Sequence, residues 1–206
     1  MIEQGSPEWF AQRLGKVTAS RVADIMAKTK TGVSASRGNY LAQLVAERLT
    51  GQATDTFKSG AMQHGTETEP MARMAYETET GQMVTEVAMI THPTIEMAGA
   101  SPDGLVGEDG LVEIKCPNTS THIATLLADK VPSGYMAQMQ WQMACTGRAW
   151  CDFVSFDPRM PEDMQLFIKR VPRDESLIAE YEEEVVKFLA EVQETVDKLI
   201  QLRRAS

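Results

Sequence analysis

The chain has 206 residues, 43% of them apolar and 24% charged, which is ordinary for a globular protein and excludes collagen-like, fibrous and wholly disordered classes. Its three cysteines, Cys116, Cys145 and Cys151, include no C-x-x-C pair, which argues against a disulfide framework or a four-cysteine metal centre and for a reducing cytoplasm. A net charge of −9 on its own counts against a nucleic-acid binder, because phosphate contacts need Lys and Arg.

In chain order, Ser6-Pro7 predicts an N-cap followed by proline at the first helical position, with Trp9, Phe10 and Leu14 on an apolar face and Gly15 as the stop. Thr18 is placed to cap a second helix carrying Val22, Ile25 and Met26. The basic, Ser/Thr/Gly-rich segment 28–39 reads as a mobile loop, and a third helix covers about 40–49 with Gly51 after it. A longer helical pattern spans roughly 60–80, where Pro70 predicts a kink or a break. From Met83 the pattern turns to strands, at 83–89, 97–106 and 111–116. Helices follow near 119–127 and 134–145, then strands near 150–156 and 165–171. The last helix, about 175–202, repeats Ile178, Tyr181, Val185, Phe188, Val192, Val196 and Leu199 at spacings of three and four. The whole reads as one α/β domain over 1–206: a helical N-terminal third, a central mixed β-sheet (about 83–171) flanked by α-helices, and a long C-terminal helix.

Charge is unevenly spread. Six basic residues and one acid lie between Arg13 and Arg37, whereas nine acids and one lysine lie between Asp174 and Asp197. The basic end can meet an anion despite the overall sign. No run approaches the roughly 18 apolar residues of a membrane span, and the start lacks the pattern of a secretory signal.

The residues that carry chemistry are Ser101-Pro102-Asp103-Gly104 and Leu111-Val112-Glu113-Ile114-Lys115-Cys116-Pro117. On a strand, Glu113 and Lys115 share one face while Val112 and Ile114 share the other, as in a sheet with only one side in the core. If Asp103 ends a neighbouring strand, the turn around Gly110 brings its carboxylate beside Glu113. Two carboxylates at a sheet end suit Mg²⁺, and a lysine beside the ion can orient or deprotonate a water and offset phosphoryl charge. From spacing alone a plain hairpin with solvated charges is the other reading. The three histidines, His64, His92 and His122, have no metal-ligand spacing.

Pro102-Asp103 with Glu113-x-Lys115 resembles the PD-(D/E)-x-K motif of metal-dependent nucleases. The wider chain resembles the phage lambda exonuclease and YqaJ-like viral recombinase family, through Glu3-Gln4-Gly5, Arg13-Leu14-Gly15, Thr18-Ala19-Ser20, Ser101-Pro102-Asp103-Gly104-Leu105, Glu113-x-Lys115-Cys116-Pro117, Tyr135-Met136-Ala137-Gln138 and Asp157-Pro158-Arg159-Met160. These pieces are collinear and cover nearly the whole chain. The resemblance implies a restriction-endonuclease-like core in which Asp103, Glu113 and the carbonyl of Ile114 hold Mg²⁺ (two ions, with Mn²⁺ a substitute) and Lys115 attends the attacking water. It implies that Glu69 stands near the metals and Gln138 near the scissile phosphate. Arg13 and Ser20 would receive a terminal 5′-phosphate, with Lys30 in a basic segment over the site and Met62 as an apolar wedge. Read without the family, Glu69 is an i,i+4 partner of Arg73, the Tyr135/Gln138/Gln142 stripe is a solvated helix face, and Arg13 is a surface arginine beside a helix turn.

The expectation is a Mg²⁺-dependent 5′-to-3′ exonuclease on linear double-stranded DNA, releasing mononucleotides and leaving a 3′ single strand. The resemblance also implies a homotrimeric ring, a single-strand annealing protein as partner, and a phage or prophage product in a bacterial cytoplasm. The alternatives are an endonuclease of the same superfamily, which would cut a closed circle, and a non-catalytic DNA-end-binding protein.

Overall fold

A computed structural model describes residues 2, 4–29, 32–54 and 60–205, the side chains of 60–63 and 205 excepted. Helix α1 (Pro7–Arg13) begins as expected, with Ser6 accepting from the Trp9 N–H and Pro7 at the first position. Strand β1 (Val17–Thr18) then leads into a short 3-10 turn, Ala19–Arg21, and helix α2 (Val22–Met26). Thr18 makes no side-chain capping bond; it is strand, and Ser20 lies in the 3-10 turn rather than in a helix capped by Thr18.

The expected loop over 28–39 is corrected. Lys28–Thr29 (β2) and Gly32–Val33 (β3) pair as an antiparallel ribbon, and helix α3 (Ala35–Thr50) starts five residues early. Ser34 supplies the reason, accepting from the Arg37 N–H at 3.2 Å. Helix α4 (Gly60–Thr80) runs unbroken through Pro70, whose exposed ring costs one backbone donor while Ala72 and Tyr76 stay buried against the sheet.

The strands are β4 (Val84–Thr85), β5 (Ile90–Thr91), β6 (Ala98–Ala100), β7 (Gly104–Val106), β8 (Gly110–Lys115), β9 (Trp150–Phe156) and β10 (Leu166–Pro172). Between β8 and β9 lie α5 (Thr119–Ala128) and α6 (Met136–Thr146), and α7 (Glu175–Ala205) ends the chain. Among the described residues, the main sheet has the order β10-β9-β8-β7-β4, with β8 and β9 parallel and the other pairs antiparallel. A smaller sheet, β1-β6-β5, holds β1 parallel to β6. The single strand expected over 97–106 is therefore two strands in different sheets, parted at Ser101-Pro102-Asp103.

The main sheet is covered on both faces. Val112, Ile114, Val154 and Phe156 pack with Ala72 and Tyr76 of α4. Leu111, Cys151 and Phe153 pack with Met139 and Met143 of α6 and Ile178 of α7. Strand β8 is thus the middle strand of a buried sheet, not a strand with one solvated side. A third core joins α2, α3, α6 and α7, where Tyr40 stacks on Phe188 with ring centroids 5.4 Å apart. Along α7 the apolar stripe is buried through Val196, while Leu199 is exposed.

Candidate active site

Strand β8 sets the geometry. Antiparallel pairing of β7 with β8 places Gly104 opposite Val112, so Asp103, just before β7, falls opposite Glu113 when the register is continued. The Ile114 N–H donates to Asp103 Oδ2 at 2.7 Å. Glu113, on the opposite face to Ile114, is completely buried under α6. Its carboxylate is gripped from three sides: Gln138 Nε2 donates to Oε1 at 2.5 Å, Gln142 Nε2 donates to Oε2 at 2.6 Å, and the Lys115 ammonium pairs with Oε1. Lys115 also lies over the Tyr135 ring, 5.4 Å from its centroid.

The electrostatics follow from this crowding. Burial and then the neighbouring Glu113 charge push the Asp103 carboxyl well above the usual range; Glu69 adds to this, and Lys115 opposes it. Burial lowers the Lys115 ammonium, but Glu113 and Asp103 outweigh it and the group is raised, so it keeps its proton. Buried carboxylates that repel one another around a single lysine leave a site short of positive charge. That donor set fits a divalent cation. Among the described residues no group of three or more His, Cys, Asp and Glu side chains could hold an ion alone. Two carboxylates with main-chain and water oxygens suit Mg²⁺, which keeps several of its waters.

Asp103 opens onto a cleft of about 660 Å³ whose walls include Arg13, Lys16, Ser20, Arg21, Glu69 and Arg73. The N-terminal segment is stitched directly to the Asp103 loop. Trp9 Nε1 and Arg13 Nη1 both donate to Ser101 Oγ, at 3.1 and 3.2 Å, and Gln4 Nε2 donates to the Pro102 carbonyl at 2.8 Å. Arg13 stacks on Trp9 at 4.0 Å, and burial lowers its pKa against the pull of Tyr40 and Glu47. Ser20 is exposed on the same cleft. The turn between α1 and β1 is clamped from α3: Gly15 N–H donates to Glu47 Oε2 at 2.9 Å, and Arg48 Nε donates to the Gly15 carbonyl at 3.0 Å.

The structure therefore brings Asp103, Glu113, Lys115 and Gln138 together, and sets Arg13, Ser20 and Glu69 along the adjoining cleft. Glu69 bonds to Arg73 at 3.0 Å, the i,i+4 pairing, while its charge still reaches Asp103. Lys30 lies outside the described residues, as does Glu3; Met62 falls in the first turn of α4 with its side chain outside them. The solvated reading of the α6 glutamine stripe is corrected, because Gln142 is fully buried and both glutamines turn onto Glu113. The sequence places Gln142 on the Gln138 face by its i,i+4 spacing but gives it no part in the site, and it gives none to Gln4 or Ser101, which stand only as pieces of matching motifs. His92 and His122 are buried and serve packing: His92 meets Glu182 at 3.1 Å, and His122 bridges Ser155 Oγ and the Met164 carbonyl at 2.7 and 2.9 Å.

A mixed sheet with helices on both faces, carrying two carboxylates and a lysine at one strand end, places the protein in the restriction-endonuclease-like class of α/β folds. Within that class the chain belongs to the YqaJ-like viral recombinase family, whose profile matches residues 8–149. The structure is similar to the alkaline exonuclease LHK-Exo of Laribacter hongkongensis, at 57% identity over 97% of this chain and 99% of that one, with a TM-score of 0.91. It is equally similar to LHK-Exo in complex with dAMP, at 57% identity over the same 97% and 99%, with a TM-score of 0.92. A phage-related exonuclease from Haemophilus somnus 129PT shares the fold at 19% identity over 91% of this chain and 96% of that one, with a TM-score of 0.68. No curated protein gives a significant sequence match.

Proposed function

We propose that the chain is a Mg²⁺-dependent exonuclease that digests linear double-stranded DNA from its 5′ ends, releasing mononucleotides and leaving a 3′ single strand for phage-type single-strand-annealing recombination. The observation that carries this reading is the cleft leading from Arg13 and Ser20 to Asp103. It pairs a cation suited to a terminal phosphate with a carboxylate–lysine site suited to hydrolysis, in a chain 57% identical to an exonuclease. That relative has been seen with dAMP, a nucleoside monophosphate of the kind such a reaction releases.

Asp103, Glu113 and the carbonyl of Ile114 would hold Mg²⁺, two ions in the full site with Mn²⁺ as a substitute, and Glu69 stands at its margin. When bound, the metal supplies Lewis-acid stabilisation of the phosphate and a more acidic water. Lys115, held protonated by its two carboxylate neighbours, orients the attacking water and offsets charge on the phosphate oxygens. Gln138, half-buried at the site, offers an amide to the scissile phosphate. Arg13, held over the Trp9 ring, presents its guanidinium fork to the 5′-phosphate, and Ser20 adds a hydroxyl. Lys30 and Met62 would complete the grip as a basic contact and an apolar wedge.

With a net charge of −9 the chain holds DNA weakly, so a homotrimeric ring around the duplex would keep it on its track. A single-strand annealing protein is the proposed partner, in the cytoplasm of a bacterial host. Among the described residues no helix is long and apolar enough to cross a membrane.

The test compares wild type with Lys115→Ala on 5′-phosphorylated linear duplex in Mg²⁺. Loss of about 100-fold or more in rate is expected; equal residual activity in both refutes the catalytic assignment. Covalently closed circles should survive, and their cleavage would favour the endonuclease. Equal rates on 5′-hydroxyl and 5′-phosphate ends would remove the roles of Arg13 and Ser20.

A further inference from the structure

The proposed chemistry asks two things of Glu113. Its carboxylate must stay ionised and fixed in a dry interior, and one of its donors, Gln138, must be able to leave it for a phosphate. Gln138 is half-buried on the site side, but Gln142, one turn further along α6, has no solvent exposure. Gln142 Nε2 donates to Glu113 Oε2 at 2.6 Å, on the oxygen that Lys115 and Gln138 do not use. The amide is itself oriented, since its Oε1 faces the buried Cys151 thiol at 3.9 Å, a weak donor that matches the carbonyl end. Reversing the amide would set its oxygen against a carboxylate.

We propose that Gln142 is the positioning residue of the metal site: resting on the function proposed above, it anchors Glu113 permanently from beneath while Gln138 exchanges between Glu113 and the substrate. It touches neither substrate nor metal. It acts by fixing the direction in which Glu113 presents its oxygens, the part that outer-shell donors play for carboxylate ligands.

The experiment uses Mn²⁺ as the probe, measured by calorimetry on the DNA-free protein. Gln142→Met keeps length and approximate volume and deletes the donor. Gln142→Asn keeps the amide but withdraws it by about 1.5 Å, one carbon–carbon bond. Both are expected to raise the Mn²⁺ dissociation constant about 10–100-fold and to shift the Mg²⁺ concentration needed for half-maximal rate in parallel, with metal-free affinity for DNA ends unchanged. If Gln142→Met fails to fold, the Asn variant decides. Wild-type Mn²⁺ affinity in a folded variant, even one with a lowered melting temperature, overturns the assignment and shows a packing role alone. If the wild type itself binds no Mn²⁺ and hydrolyses nothing, the proposed function falls and this inference with it. A wild type that binds and hydrolyses, matched by its Gln142 variants, sinks only the inference.

Discussion

A buried carboxylate survives only where donors surround it, and Glu113 and Asp157 show two ways of arranging this. Glu113 has a lysine and two amides. Asp157, also without exposure, accepts from Arg159 Nε at 2.6 Å and from the Arg159 N–H at 3.1 Å. Burial works against its ionisation, but the Arg159 guanidinium, the Thr119 side chain and the Arg159 N–H prevail and lower its pKa to about 2. A depressed carboxylate contributes stability that is present above its unfolded value, 3.8, and lost as pH falls through about 2. Asp157→Asn should therefore cost about 1–2 kcal/mol at neutral pH, with the difference from wild type closing as acid protonates the native carboxylate. Urea unfolding at a series of pH values measures it. At this scale the sequence was a good guide to the meeting of Asp103, Glu113 and Lys115 in space, because strand alternation and one tight turn are local facts. Gln142 was harder to see: its identity and spacing were visible, but that its helix lies on the Glu113 face of the sheet depends on tertiary docking.

Among the elements, β8 shows how tightly the site strand is fitted. A Cβ on Gly110 would sit 2.1 Å from the Trp150 ring, which is pinned from elsewhere by the Arg170 guanidinium at 3.4 Å. Arg170 in turn donates to Asp152 at 2.8 and 2.9 Å, and the Tyr76 hydroxyl donates to the same carboxylate at 2.8 Å. Gly110→Ala should displace the indole from this stack and destabilise the fold by about 1–3 kcal/mol, with a changed tryptophan emission. An unaltered melting temperature would show that the ring has room to move. Helices α4 and α7 were legible because periodicity persists over several turns, and β9 because its apolar run is bounded on both sides. The break at Ser101-Pro102-Asp103 was not, since the chain changes sheets there without changing its hydrophobic pattern. The early start of α3 rests on the Ser34 hydroxyl, a capping signal obscured by the polar residues around it.

For the molecule as a whole, charge is divided by location. The acids of α7 lie largely on its outer face, several in pairs such as Glu183 with Lys187 and Glu194 with Lys198. The cleft gathers Arg13, Lys16, Arg21 and Arg73, of which Arg21 is engaged by Asp24 and Arg73 by Glu69. On the proposed reading that leaves Arg13 and Lys16 of the cleft, with Lys30, as the principal phosphate partners on each chain, Lys115 being already paired with Glu113. A plot of log affinity for a DNA end against log salt should then have a slope near −3 per chain, measured by anisotropy. A much steeper dependence would reveal basic contacts beyond the cleft. The sheet order could not be read from the chain, because β1 finds β6 across some eighty residues. The polarity of charge could, since it needs only counting.

The Ser101 hydroxyl accepts from both Trp9 and Arg13, two positions before Asp103. On the proposed reading, the hand that grasps the strand terminus and the blade that severs it are bolted to one oxygen. The bite of the enzyme, one nucleotide, then becomes a rigid dimension of the scaffold, not something each encounter must find by adjustment.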